Sequence, residues 1–264
     1  MAKSKGEITR RDFIKTTGTG ALATGLGPSF SFLNRMAPME NEKKPIKALA
    51  FDAYGTLFDV QSVIAALNRK FPGQGSAVSN GWRTRQLEYT WLRSLMGRYE
   101  DFWMVTESAL VATCHAMKLP LNAGACAELM AAYLHLDPFP EVRQALGSLS
   151  KIPLAILSNG SPKMLKAVVE SAGLKGVFSD VLSVDEVKTY KPSPAAYQLA
   201  ARKLGLDKSE IGFVSSNFWD GAGAKSFGFR THWVNRSSAA ADELGFTPDA
   251  TLSSLSDLVA LIKA

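Results

Sequence analysis

From residue 45 onward, short apolar runs alternate with stretches of helical spacing. The first run, Pro45 to Phe51, is apolar but for Lys47 and too short for a core helix, which predicts a buried strand. It stops abruptly on Asp52, and Gly55 allows the backbone to turn sharply just beyond. The period then changes. Apolar residues such as Leu87, Trp91 and Leu95 recur at helical spacing, and helices are expected over Ser62–Lys70, Ser79–Tyr99, Phe102–Met117 and Ala123–Leu134. No strand pattern interrupts this block. Strands are expected again over Pro153–Leu157, Val177–Val184, Ile211–Val214 and Arg230–Val234, alternating with helices over Val142–Ser150, Lys163–Ala172, Pro194–Leu204 and Gly221–Phe227. A closing helix spans Leu252–Lys263. Alternation of this kind implies an α/β, doubly wound parallel sheet. The expected layout is a core of residues 43–60 and 137–264 with an inserted helical cap domain, residues 61–136.

Polar groups stand where these strands end. Asp52 ends the first, Ser158 and Asn159 follow the second, Lys191 lies in the loop after the third, and Ser215, Ser216, Asn217 and Asp220 follow the fourth. Parallel strands place these ends on one edge, where open α/β sheets bind ligands. Helix N-termini on the same edge present free N–H groups that suit anions. Each residue also has a plainer role: Asp52, Thr56 and Ser158 as helix or turn caps, Lys191 as a surface lysine, Arg83 as a solvated helix charge.

The segments Asp52-Ala-Tyr-Gly-Thr-Leu57, Leu157-Ser-Asn-Gly-Ser161, Tyr190-Lys-Pro192 and Val214-Ser-Ser-Asn-Phe-Trp-Asp220 together resemble the haloacid dehalogenase superfamily. With Trp82-Arg83 and Gln86 to Met96, they are similar to the type II L-2-haloacid dehalogenases in particular. The resemblance runs from about Lys47 to Arg236. It implies a Rossmann-like core and hydrolysis of short-chain L-2-haloacids to D-2-hydroxy acids through an ester on Asp52. In that scheme Lys191 keeps Asp52 ionised, Asp220 activates water, and Ser215 and Asn217 position Asp220, Lys191 or the water. Thr56 bonds Asp52, Arg83 holds the departing halide, and Ser158 and Asn159 bind the substrate carboxylate. Tyr54, Leu87, Phe102 and Trp219 form the apolar wall, and Tyr197 supports the lysine. Thr84 and Ala53 depart from the family pattern in a way expected to widen the pocket.

Phosphatases of this fold carry a second acid where Tyr54 stands and a magnesium-holding acid where Ser216 stands. Loss of both favours a metal-free site without a cofactor, since halide leaves without a proton. Three alternatives stay open: the same ester chemistry on another small carboxylate such as L-azetidine-2-carboxylate, a phosphatase, and a non-catalytic carboxylate-binding protein.

Charge and composition add limits. The net charge of +6 is inflated by the first 40 residues, which hold six of the 30 Lys/Arg and three of the 24 Asp/Glu. The remaining 24 basic and 21 acidic groups are no nucleic-acid signature. Thr9-Arg-Arg-Asp-Phe-Ile-Lys15, followed by an apolar Gly/Thr/Ala segment to Gly27, resembles a twin-arginine export signal. It implies the export machinery as a partner, a periplasmic location and no stable membrane insertion. The family likeness implies a possible homodimer. Cys114 and Cys126 lack metal-ligand spacing and read as small core residues, with a disulfide permitted. His115, His135 and His232 lie outside every motif.

Overall fold

The computed structural model describes residues 44–263, so the twin-arginine-like segment lies outside the described residues. The first strand, β1 (Ala48–Phe51), is wholly buried. A 3-10 turn (Val60–Val63) and four helices follow: α1 (Ile64–Lys70), α2 (Gly75–Leu95), α3 (Phe102–Ala116) and α4 (Ala123–Ala132). The chain then runs through α5 (Val142–Ser148), β2 (Leu154–Ser158), α6 (Pro162–Ser171), β3 (Asp180–Ser183), α7 (Pro194–Leu204), β4 (Ile211–Ser215), α8 (Phe218–Phe227), β5 (Arg230–Val234), β6 (Ala250–Leu252) and α9 (Leu255–Lys263). The six strands form one parallel sheet in the order β3-β2-β1-β4-β5-β6.

This order places a topological switch point at β1, because the chain continues to β2 on one side and later adds β4 on the other. Phe51 is level with Ile156 and with Val214. Asp52 therefore follows at the sheet edge, its N–H bonded to the Val214 carbonyl at 2.9 Å. The observed strand starts after Lys47 and is apolar on both faces because helices cover both faces of a parallel sheet.

Several boundaries differ from the sequence expectation for physical reasons. α2 starts at Gly75, not Ser79, because the Asn68 side chain accepts from the Gly75 N–H at 2.9 Å. That contact joins residues seven apart and is invisible to local spacing. α2 ends before Gly97, whose φ of +63° suits glycine and stops the helix short of Tyr99. β3 begins at Asp180 because the Val177 N–H closes a turn on the Leu174 carbonyl. α8 begins at Phe218, not Gly221, so Asp220 lies in its first turn. β6 was not anticipated. Its three residues carry too little pattern, and it exists because β5 offers an open edge.

The helices between β1 and β2 pack on the same core, and the described residues form one compact unit. Trp82 on α2 is fully buried, donates from Nε1 to the Thr106 carbonyl at 2.7 Å and meets the Tyr133 ring at 4.7 Å. Cys114 and Cys126 are buried free thiols in this region. Among the described residues no helix is long and apolar enough to cross a membrane.

Because Trp82 anchors α2 against α3, Trp82→Ala is expected to destabilise the protein by about 3–5 kcal/mol. Urea unfolding followed by circular dichroism checks this.

Candidate active site

Asp52 is 6% exposed at the end of β1. Its Oδ2 accepts from Thr56 Oγ1 at 2.9 Å and from Asn217 Nδ2 at 2.8 Å. Its Oδ1 accepts from Lys191 Nζ at 3.1 Å. Thr56 is aimed because the Ser216 N–H donates to its Oγ1 at 2.8 Å. Asn217 is aimed because its N–H donates to Ser215 Oγ at 3.0 Å. The tight turn after β1 thus puts Thr56 four residues from Asp52 yet within bonding distance. Asn217 therefore serves Asp52 directly, not Asp220 or Lys191.

Lys191 Nζ also donates to Asp220 Oδ2 at 2.8 Å, bridging two buried carboxylates. Ser215 Oγ lies 3.4 Å from the same Asp220 oxygen. Tyr197 on α7 donates to Asp220 Oδ1 at 2.8 Å. Burial pulls the Lys191 ammonium down, but Asp220 and Asp52 outweigh it and leave its pKa above the ordinary lysine value. Burial pushes the Asp220 carboxyl up; Lys191 opposes this and Asp52 adds to it, leaving it at about 6. Burial, and then Asp220, raise the Tyr197 phenol well above its ordinary value, so it stays a donor.

Beside this cluster, Asn159 Oδ1 accepts from the Lys191 N–H at 3.0 Å and so fixes the lysine's loop. Ser158 Oγ accepts from the Gly160 N–H at 3.1 Å, and its own O–H can still donate. Gly160 has to be small, since a Cβ there would fall 2.7 Å from the Tyr54 ring.

The inserted helices close the site from the other side. Arg83 on α2 donates from Nη2 to the Tyr54 carbonyl at 3.2 Å and from Nη1 to Gln86 Oε1 at 2.7 Å. Gln86, buried, is anchored in turn on Thr106 Oγ1 at 2.7 Å. Leu87 is half-buried four residues from Arg83, hence on the same face. Phe102 packs on Tyr54 at 5.5 Å, and Tyr54 on Tyr133 at 6.2 Å. Trp219 meets Trp91 edge-on at 5.4 Å, and the two line a cavity of about 460 Å³ that reaches Lys191. The structure corrects one expectation: Thr84 is exposed, about 100° around the helix from Arg83, and does not share its face. Ala53 is fully buried.

Sequence reasoning assigned no role to Gln86, Tyr133 or Arg236, all tied to this site. Arg236 Nη1 donates to Ser216 Oγ at 2.8 Å. Gln86 had a signal, since it stands one helical turn from Arg83; Arg236 had none. His232 is buried on β5 and burial drives its pKa down to about 4, so it is a neutral core residue. Among the described residues no group of three or more His, Cys, Asp or Glu is placed to hold a metal.

The arrangement suits nucleophilic attack by a carboxylate. One oxygen of Asp52 is held by neutral donors, the other by an ammonium, and a second carboxylate stands across that ammonium. An arginine reaches the same loop from the opposite side, where an anion can be met.

Comparison with known proteins gives the family. Residues 46–228 match the model of the haloacid dehalogenase-like hydrolases. The chain is 51% identical over 220 residues to an (S)-2-haloacid dehalogenase of Pseudomonas sp. (strain YL), covering 83% of this chain and 95% of that one. It is 48% identical over 221 residues to haloacetate dehalogenase H-2 of Moraxella sp. (strain B), covering 83% and 99%. The crystal structure of the L-2-haloacid dehalogenase of Xanthobacter autotrophicus with chloropropionic acid covalently bound superposes with a TM-score of 0.81 at 41% identity, over 83% of this chain and 99% of that one. The phosphatase and binding-protein alternatives gain nothing from these relatives. This chain belongs to the haloacid dehalogenase-like hydrolases and, within them, to the L-2-haloacid dehalogenases, enzymes that hydrolyse carbon–halogen bonds.

Proposed function

We propose that this enzyme converts short-chain L-2-haloacids to D-2-hydroxy acids through an ester on Asp52, without a metal. The observation that carries this is the buried Asp52–Lys191–Asp220 bridge, with contacts of 3.1 and 2.8 Å. A receptor for small anions gains nothing from two carboxylates at its centre, whereas two-step ester chemistry uses both. Thr56, Asn217 and Lys191 orient the Asp52 carboxylate. One of its oxygens attacks C2 from the side opposite the halogen, the carbon–oxygen bond forms, and the halide leaves with the bonding electrons. C2 is inverted.

Water then attacks the Asp52 carboxyl carbon and gives a proton to Asp220. The bond between that carbon and the ester oxygen breaks, and the product oxygen takes a proton as Asp52 is regenerated. Tyr197 and Ser215 hold Asp220, and Lys191 shares its charge between the two acids. Arg83 receives the halide, and Ser158 and Asn159 with nearby N–H groups receive the substrate carboxylate. Tyr54, Leu87, Phe102 and Trp219 exclude bulk water around C2, with α1–α4 acting as the cap. Tyr54 is no proton donor of the phosphatase kind, because burial raises its phenol further above neutrality.

We further propose that the twin-arginine-like segment sends the folded enzyme to the periplasm. Exposed Leu92, Leu95 and Met96 at the end of α2 support a homodimer through the inserted helices.

Halide release from (S)-2-chloropropionate in EDTA is expected, with none from the R form, and Asp52→Asn should lower it about a thousandfold or more. Release from the R form alone, or only with added magnesium, refutes the scheme; release from neither directs the search to a strained-ring carboxylate.

Ester hydrolysis needs Asp220 ionised. Its carboxyl stands at about 6 with Asp52 charged, and esterification removes the Asp52 charge that raises it, so single-turnover hydrolysis should slow with acid only below about pH 6. A rate that does not fall with acid, or wild-type ester hydrolysis in Asp220→Asn, would remove Asp220 as the base.

Periplasmic extracts should contain an N-terminally shortened chain by mass spectrometry, with twice the chain mass by light scattering. An unprocessed cytoplasmic chain argues against export, and a single chain mass argues against the dimer.

A further inference from the structure

We propose that Arg236 is a positioning residue for the Asp52 nucleophile, locking together the two loops that aim it. Arg236 stands two residues beyond β5 and its guanidinium uses nearly its full fork. Nη1 donates to Ser216 Oγ at 2.8 Å. Nη2 donates to the Thr56 carbonyl at 3.0 Å and to Glu141 Oε1 at 2.7 Å. Nε donates to the same Glu141 oxygen at 2.9 Å. The guanidinium carbon lies 3.8 Å from the centre of the Phe139 ring.

These partners belong to different parts of the chain. Thr56 lies in the turn after β1, Ser216 in the turn after β4, and Glu141 just before α5. The first two turns supply the neutral donors on Asp52 Oδ2: the Thr56 hydroxyl at 2.9 Å and the Asn217 amide at 2.8 Å. Arg236 grips the backbone oxygen of Thr56 and the side chain next to Asn217. Its bonds go to Glu141, Ser216 and Thr56 and none goes to Asp52, so it acts through these loops.

An ordinary surface ion pair would contribute little. Arg236 and Glu141 are each only 20% exposed, and two of the four guanidinium hydrogen bonds go to groups other than the acid. The guanidinium also engages the hydroxyl of Ser216 and so braces the turn after β4 directly. Its planar fork carries directional bonds to an oxygen of each loop, which a lysine ammonium would reproduce only in part.

The proposal rests on Asp52 as the nucleophile, and the test separates the two. Arg236→Met, Arg236→Lys and Glu141→Gln are compared with the wild type in kcat and KM for halide release from (S)-2-chloropropionate, and the crystal structure of each variant is determined. Misplacing a nucleophile by about 1 Å lowers rate by up to about a hundredfold. Arg236→Met is therefore expected to lose about 10- to 100-fold in kcat with KM changed less than about twofold. Arg236→Lys should regain part of that loss, as should added ethylguanidinium in the Arg236→Met protein. The Arg236→Met crystal should show Thr56 Oγ1 or Asn217 Nδ2 out of bonding distance from Asp52. Unchanged kcat in Arg236→Met, or unchanged Thr56 and Asn217 contacts in its crystal, overturns the proposal. If Arg236→Met fails to fold, Glu141→Gln decides: a fall in kcat at constant KM supports the role, and unchanged kcat overturns it. If the wild type releases no halide, the substrate assignment fails, and the crystal comparison alone decides the positioning role.

Discussion

Lys191 carries its charge with only 1% of its side chain exposed. An ammonium so placed is strongly unfavourable unless opposite charges and hydrogen bonds replace its hydration. Asp52 and Asp220 supply them, and neither carboxylate would itself tolerate burial without the lysine. The three groups are therefore mutually dependent. Removing the ammonium would leave two buried carboxylates facing each other, a loss on the order of 3–5 kcal/mol. With all three ionised the cluster holds one net negative charge. An anionic substrate would then gain nothing from this cluster's net charge and needs donors elsewhere, such as those proposed above at the β2 end and on Arg83.

The parallel sheet makes this clustering possible. Asp52, Lys191 and Asp220 come from three separated stretches, and their side chains meet because β1 and β4 are neighbours in register and the β3–α7 loop returns to the same edge. Burial of the Asp220 carboxyl does two things at once. It raises its proton affinity toward neutrality, as suits a base, and it makes the hold of Lys191 and Tyr197 necessary. Around this polar centre the inserted helices add a rigid apolar wall. Trp82, Tyr133, Tyr54 and Phe102 pack in sequence from helix interior to site, so the wall is an extension of the core and not a loose flap.

Both Asp52 oxygens are held, but by different means. Lys191 supplies charge to one, while Thr56 and Asn217 supply direction to the other. Charge alone tolerates rotation, because a Coulomb attraction is weakly directional. Direction requires that two loops stay fixed relative to each other, and loops are the least constrained parts of an α/β fold. A bridge between them is the economical physical solution, and Arg236 has the length and geometry to be one.

Much of this protein was determined by its sequence. The order of strands and helices followed from apolar period, and Asp52 stood out because it ends an apolar run, whereas Lys191 and Asp220, in the segments that follow β3 and β4, took their roles from the family resemblance. Burial on both faces of a parallel sheet leaves such a signature locally. The early start of α2, capped by Asn68, and the three-residue β6 were not legible, since each depends on a partner distant in the chain or on an open edge. The same holds for partner choice within the site. That Asn217 serves Asp52, that Thr84 faces away, and that Gln86 braces Arg83 were settled by rotamer and packing direction. Arg236 is the clearest case. It follows β5 with no motif around it, and only the folded chain brings its guanidinium to Thr56, Ser216 and Glu141, because hydrogen bonds between loops depend on distance in space and not on distance in sequence.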